Sequence, residues 1–332
     1  MLFLSILLIS SISPKIFSSP LIFSPFVKSY IRFLAFKEKG LGGKISLERK
    51  KISIAIPASL VSDTPHLREK TSKIGLIGRA AAIFRVDEII VYPDEPKKDQ
   101  KKDTDLIATL LGYMETPQYL RKRLFKLRSE LRYAGILPPL RTPHHPLGNK
   151  MKDLKVGDYR EGVVVTKTGK GSLVDIGVEE LALMPNKKLA VNKRVTVKIV
   201  DVKKRPIIEL ADKKEIPAYW GYKVTLAKQP FGRLVKNLGF DLTVATSKYG
   251  VSLSKVLEEI VEKWRKAKNV LVAFGAPTKG LYEIVESDGL VLDDVMDFVV
   301  NTIPRQGTET VRTEEAVFAS LAILNMHFSF NV

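Results

Sequence analysis

The sequence predicts an α/β protein, a parallel sheet covered by helices, with a small β-barrel inserted between two halves of the sheet domain. Three observations carry this. Apolar strand-like runs alternate with helical segments early in the chain, the order that builds a parallel sheet. Five short strand signals separated by glycine turns then crowd into roughly sixty residues, which suits a small closed barrel. After Pro217 the strand–helix alternation resumes.

The order begins at Ile52. Ile52 to Ile56 alternates as a strand and Pro57 ends it. Leu67 to Phe84 has helical spacing, and Glu88 to Tyr92 is a short buried strand. Two helices are expected next, near 104–114 and 117–134, the second opening on Pro117 at a favoured first-turn position. That second helix would carry Leu120, Leu124, Leu127 and Leu131 on one face and Arg121, Lys122, Arg123, Lys126, Arg128 and Arg132 on the other. A solvated face and an RNA-facing one fit this pattern equally. The prolines from Leu137 to Pro146 make a stiff connector, within which His144-His145 reads as a rigid loop rather than a ligand pair.

Residues 149–213 are the expected insert. Its strands fall at Glu161–Val165, Ser172–Ile176, Leu181–Pro185, Val195–Val202 and Ile207–Leu210, and Lys167, Lys170, Lys187, Lys188, Lys193 and Arg194 supply positive charge. Cations along a small barrel suit tracking of a nucleic-acid backbone. Tyr159 is the single aromatic residue of the segment, so stacking there is thinly provided. Beyond Pro217 the expected strands are Tyr222–Leu226, Leu242–Thr246, Val270–Phe274 and Phe298–Val300, with helices at Val256–Trp264 and Thr313–Leu324. The sheet domain is therefore split into 50–148 and 214–332.

Residues 1–49 stand apart. Their first part is apolar, with Lys15 the one charge before residue 28, yet Pro14, Pro20 and Pro25 break the run and no basic residue precedes it. A disordered extension, or a start codon set too far upstream of Val27 or Leu47, is expected here; a weak peripheral anchor is the lesser alternative.

Composition narrows the chemistry. The 332 residues carry 54 Lys and Arg against 36 Asp and Glu, a net charge of +18, which suits a polyanionic partner and equally suits a merely basic soluble protein. Cysteine is absent, excluding disulfides, thiol nucleophiles and sulfur-ligated metals. Four histidines are too scattered to suggest a metal site, so none is expected.

Two segments carry the chemistry. Phe274-Gly275-Ala276-Pro277-Thr278-Lys279-Gly280-Leu281 follows a buried strand, with glycines that allow close backbone approach to a ligand. It is not a phosphate loop, because Leu281 stands where that motif needs lysine. Asn301-Thr302-Ile303-Pro304-Arg305-Gln306-Gly307-Thr308-Glu309-Thr310-Val311-Arg312 again runs from a strand through a Pro/Gly loop into a helix, with Thr313 expected as its N-cap and Glu314 and Glu315 against the positive helix end.

Together, "LVAFGAPTKGL" and "VVNTIPRQGTETVRTEEAVFASLAILN" resemble the paired cofactor loops of the SPOUT, or alpha/beta-knot, RNA methyltransferases, and "SKIGLIGRAAAIFRVDEIIVY" resembles their first motif. The middle segment "VGDYREGVV…GSLVDIG…RVTVKIVDV" resembles an S1-type OB-fold. From about Lys50 to His327 the chain looks like the branch with an OB-fold insertion, described as RNA uridine-N3 methyltransferases. The resemblance implies a trefoil-knotted parallel sheet, one of the few exceptions to unknotted folding. It also implies that S-adenosylmethionine is enclosed by Phe274, Gly275, Pro277, Gly280, Leu281, Asn301, Ile303, Gln306, Gly307, Thr310 and Val311. Arg79, in the place of the motif's arginine, would be catalytic, with Glu309 and Arg312 handling protons or substrate. RNA, ribosomal in the first instance, would lie along Arg121, Arg123, Arg128 and the barrel cations. A cytoplasmic homodimer joined through the knot, with no metal and no membrane, completes the expectation. The methyl acceptor is a uridine N3, a ribose 2′-hydroxyl, or none at all in a non-catalytic RNA-binding factor.

Overall fold

The computed structural model describes residues 50–328; the expectation for residues 1–49 lies outside them. Six parallel strands form one sheet, in the order β11 (Phe298–Asn301), β9 (Leu242–Ser252), β10 (Asn269–Ala273), β1 (Lys51–Pro57), β2 (Glu88–Tyr92), β8 (Lys223–Leu226). In chain order the sheet domain comprises β1 (Lys51–Pro57), α1 (Leu67–Ile83), β2 (Glu88–Tyr92), α2 (Lys101–Glu115) and α3 (Gln118–Leu124) before the insert. After it come β8 (Lys223–Leu226), α4 (Phe231–Leu238), β9 (Leu242–Ser252), α5 (Leu253–Lys266), β10 (Asn269–Ala273), α6 (Leu281–Glu286), α7 (Leu292–Val295), β11 (Phe298–Asn301) and α8 (Thr313–Phe328).

The central strand shows why the sheet forms. Alternate residues of β1 point to opposite faces. Ile52, Ile54 and Ile56 join Ile74 and Ile77 of α1, Leu110 of α2, Trp264 of α5 and Leu321 of α8. Ala55 faces the other way, with Tyr92, Leu271 and the short helices α4, α6 and α7. Burial on both faces explains the nearly continuous apolar strand sequences. The chain leaves β10 and crosses to the outer edge at β11, beyond β9, and α8 then returns to pack on α1 and α5. This crossing pattern, with the barrel between the halves, agrees with the SPOUT arrangement.

The barrel closes as β3–β4–β5–β7–β6, from β3 (Tyr159–Thr168), β4 (Gly171–Asp175), β5 (Ala182–Pro185), β6 (Arg194–Asp201) and β7 (Ile207–Leu210). Its own core of Val164, Val174, Ile176, Met184, Val197 and Ile208 is separate from the two cores of the sheet domain. All five expected strands are present.

One expected helix is not. The segment 117–134 is helical only to Leu124, after which the chain extends at 125–128 and makes two short 3-10 turns. The apolar stripe therefore never assembles; Leu120 is buried while Leu127 is fully exposed. The arginines explain the break. Arg121 folds back to donate to the Thr116 and Met114 carbonyls at the end of α2, with its guanidinium 4.5 Å from the centre of the Tyr113 ring. Its side chain is used to finish the preceding helix rather than to face outward.

The barrel is locked to the sheet domain by a buried polar seam. Arg194 pairs with Glu115 of α2 at 2.5 and 3.0 Å and with Glu161 of β3 at 2.6 Å. Glu161 also accepts from Trp220 Nε1 and Thr196 Oγ1, both at 2.7 Å, and its carbonyl accepts from Tyr119 Oη at 2.8 Å. His144 and His145 both bring Nε2 to the Glu115 carbonyl, at 2.9 and 2.8 Å, so the pair is a structural clamp. Gly177, at φ 82°, admits the Tyr119 ring where a Cβ would lie 2.5 Å from it. Burial draws the Glu115 carboxyl upward, but the His144 hydrogen bond and the Arg194 charge hold it below the ordinary carboxylate value. Among the described residues no helix is long and apolar enough to cross a membrane.

Candidate functional site

At the carboxyl ends of β9, β10 and β11 the sheet opens into a cleft of about 210 Å³. Open α/β sheets bind ligands at this end of their strands. Three hydroxyls from separate elements shape it. Thr246 Oγ1 donates to the Ala273 carbonyl at 3.0 Å, Tyr92 Oη to Phe274 at 2.6 Å, and Thr313 Oγ1 to Gly275 at 3.0 Å. Successive carbonyls of one strand end are thereby fixed by β9, by β2 and by the first residue of α8. Thr313 is not the helix cap expected of it. The Arg312 amide, one residue earlier, takes the Glu315 carboxylate at 2.9 Å instead.

The loop after β10 turns tightly, the Ala276 amide donating to the Lys279 carbonyl at 2.9 Å. The loop after β11 is held by Asn301, whose Oδ1 accepts from the Ile303 amide at 2.9 Å while its Nδ2 donates to the Lys248 carbonyl at 3.0 Å. Gln306 Nε2 donates to the Thr308 and Glu309 carbonyls at 2.9 and 3.0 Å. Ala276, Ile303, Val311 and Ala316 give the cleft apolar surface, with the Phe274 side chain fully buried in the core; Thr246, Asn301, Gln306, Thr310 and Glu283 give it polar groups. Such a mixture suits a ligand with a flat apolar part and a polar tail.

Most of the expected cofactor residues converge here. Phe274, Gly275, Pro277, Gly280, Asn301, Ile303, Gln306, Thr310 and Val311 line the cleft. Leu281 does not; it is fully buried behind the loop as the first residue of α6. Gly307 is exposed and is not among the lining residues, and the same holds for Glu309 and Arg312. Arg79 is placed elsewhere. Its Nη1 donates to the Pro139 and Leu140 carbonyls at 2.9 and 2.6 Å, tying α1 to the proline connector.

A third wall was not foreseen. Thr246, Ser247, Lys248 and Tyr249 line the cleft from β9. The strand expected from the sequence ends at Thr246, although a strand running into a polar stretch and Gly250 repeats the pattern of the other two loops. Gly250 permits the geometry, since a Cβ there would lie 2.7–2.8 Å from the backbone of Val299 and Val300.

A family of proteins described as "Putative RNA methyltransferase" matches residues 51–324. The chain belongs to this family. A mouse relative named 28S rRNA (uridine-N(3))-methyltransferase is 36% identical over 303 residues, covering 82% of this chain and 75% of its own length. A Drosophila melanogaster relative of the same name is 33% identical over 308 residues, with 82% of this chain matched to 61% of the longer fly protein. An uncharacterized protein of Haloarcula marismortui is 34% identical over 288 residues, 82% of this chain and 98% of that one. Methyl transfer to RNA makes this family member an enzyme, and RNA its substrate.

The expected RNA-contacting cations divide into two groups in this methyltransferase. Arg121, Arg123 and Arg194 are occupied internally, Arg123 by Asp175 at 2.7 Å. Lys167, Lys170, Lys187, Lys188, Lys193 and Arg128 are exposed. The Lys170 carbonyl accepts from the Asn186 amide and the Lys187 carbonyl from Ser172 Oγ, which draws Lys170, Lys187 and their neighbours Lys167 and Lys188 to one end of the barrel. Beneath α8, Lys73 is buried and pairs with both Asp63 oxygens at 2.8 and 3.0 Å. Burial lifts the Glu314 carboxyl above the ordinary carboxylate range, its Oε2 lying 3.7 Å from Lys73 Nζ. Among the described residues no group of His, Asp and Glu could hold a metal ion.

Proposed function

We propose that this chain is an S-adenosylmethionine-dependent methyltransferase that modifies N3 of a uridine in large-subunit ribosomal RNA, acting as a cytoplasmic homodimer. The names of its mouse and fly relatives support the substrate. The observation that carries the cofactor is the cleft itself, where strand-end carbonyls are consumed by Thr246, Tyr92 and Thr313 and the walls combine apolar and polar groups. A planar purine fits against Ala276, Ile303 and Val311, while Thr310, Gln306 and Asn301 suit the ribose and amino-acid parts. In this reading residues 50–148 and 214–332 form the catalytic domain and 149–213 the RNA-gripping insert.

When bound, S-adenosylmethionine supplies a methyl group on a positively charged sulfur. The chain's task is to hold the uracil in line with that carbon and to favour loss of its N3 proton. The uracil N3 would give up its proton to a base beside the loop after β11 or to water, and would then receive the methyl group that S-adenosylmethionine would supply. Glu309 and Arg312 are the candidates for proton acceptance and for stabilising the uracil anion, because both are exposed in and next to the loop after β11. Arg79, held on two carbonyls of its own chain, serves in this reading to position the connector. Dimer formation through α1 and α8 is supported by Leu76 and Ile83, seven residues apart on the outer face of α1, and by Met326 on α8, all exposed.

The test is transfer of labelled methyl from S-adenosylmethionine to ribosomal RNA from cells lacking the gene, followed by digestion to nucleosides and mass spectrometry. The expected product is 3-methyluridine. Label that survives only as a 2′-O-methylated nucleotide, or no transfer at all, would overturn the assignment.

A further inference from the structure

We propose that Tyr249 is the platform on which the target base stacks at the cleft mouth, with Lys248 beside it to take the adjoining phosphate. This inference rests on the RNA methyltransferase reading and names a substrate-contacting group within it. Four observations carry it.

Tyr249 is 73% exposed, and among the described residues it is the one exposed aromatic side chain. It lines the cleft rather than standing on an unrelated surface. Its backbone is held in place. The pairing of β9 with β11 jumps from Ala245↔Val299 to Val251↔Val300, so residues 246–250 bulge out of the strand. The bulge is pinned by Thr246 on Ala273, by Asn301 on Lys248, by Ser247 Oγ accepting from the Tyr249 amide at 3.2 Å, and by the close passage of Gly250 over β11. Finally, Lys248 Nζ lies 5.0 Å from the Tyr249 ring centre, placing a cation next to an aromatic face.

A base that is to be methylated on an edge used for pairing must leave its stack, and a flat partner at the reaction site offsets that cost. Unstacked RNA bases are recognised by stacking on aromatic side chains, with neighbouring cations on the backbone. The barrel offers little for this purpose, since Tyr159 is half-buried and edge-on to Trp220 with ring centres 6.2 Å apart. Grip on the strand and presentation of the base are therefore divided between two surfaces, the lysine-rich barrel end and the Lys248-Tyr249 bulge.

The experiment compares full-length wild type, Tyr249→Ala, Tyr249→Phe and Lys248→Ala. Steady-state methylation of ribosomal RNA from gene-deleted cells is measured at saturating S-adenosylmethionine, with cofactor affinity by calorimetry and binding of a fluorescein-labelled oligouridylate by anisotropy. Tyr249→Ala should lower kcat/KM for RNA and weaken the oligonucleotide by roughly five- to a hundredfold, the range of one base–aromatic stack. Tyr249→Phe should recover most of this, and cofactor affinity should stay within about twofold in both. Equal RNA parameters for Tyr249→Ala and wild type would overturn the proposal, as would a loss of cofactor affinity that accounts for the whole defect. A wild type that transfers no methyl would instead defeat the functional reading, and the anisotropy series would still decide whether Tyr249 holds a base.

Discussion

Thr313 Oγ1 donates to the Gly275 carbonyl at 3.0 Å, joining the first residue of the last helix to the glycine loop 38 positions earlier. One hydroxyl thus holds two walls of the cleft in register. Thr313→Val removes it at nearly constant volume and leaves a half-buried acceptor without its donor, at about 0.5–1.5 kcal/mol. Cofactor affinity should fall by up to roughly tenfold while the barrel is untouched. Calorimetry checks this; an unchanged dissociation constant would mean that the two loops keep their spacing without the bond.

The bulge in β9 makes a second demand. Gly250→Ala places a methyl group 2.7–2.8 Å from the Val299 and Val300 backbone. Backbone cannot give way as a flexible side chain can, so overpacking of about 1–3 kcal/mol is expected. The melting temperature should drop and RNA kcat/KM should fall with it, because the bulge carries Lys248 and Tyr249.

The cations of the insert should separate cleanly by experiment. Arg194→Ala strands Glu115 and Glu161, both buried, and should cost about 3–5 kcal/mol of stability. Lys187→Ala with Lys188→Ala should leave stability within about 0.5 kcal/mol, as exposed substitutions do. The double variant should weaken RNA binding and flatten the slope of log affinity against log salt by about 1.4, or 0.7 for each lost phosphate contact on single-stranded RNA. Denaturant titration and salt-dependent anisotropy supply the two readouts.

Acid should loosen the seam through His145. Burial and the neighbouring His144 lower its pKa from 6.5 to about 4. The unfolded chain then binds a proton before the folded one does, so this stabilisation is full above pH 6.5 and is lost as pH falls toward about 4. Unfolding midpoints measured from pH 7 to pH 5 should decline more steeply in wild type than in His145→Gln, which keeps a donor for the Glu115 carbonyl without titrating. Parallel profiles would assign the acid sensitivity to other groups.

Pairing of two copies is checked by mass. Leu76→Glu with Ile83→Glu puts two charges on the outer face of α1. Light scattering should then report a monomer where wild type gives a dimer; two identical masses would place any interface elsewhere.

The sheet was legible because buried parallel strands leave unbroken apolar runs, as in Val270 to Phe274, and the barrel because its strands are short and separated by glycine turns. The cleft was legible on two sides, where glycine and proline interrupt the chain after a strand. Its third side was hidden. Lys248 and Tyr249 sit in a bulge that exists only because β9 and β11 lose register, and register between strands far apart in sequence leaves no local trace. The aborted helix after Leu124 misled for a related reason. Leucines at helical spacing promise a packed stripe, but Arg121 found better partners in the carbonyls of α2. Arg194 looked like an RNA contact because charge in a sequence does not say which acid will meet it.

The order of synthesis gives the Thr313 contact a further meaning. The barrel and all six sheet strands are synthesised before the residue that closes the cleft. A nascent or truncated chain can bury most of its core and still lack one wall of its binding site. Capture of the small molecule can therefore report on closure of the cleft, since it depends on a hydroxyl made after the barrel and every strand of the sheet.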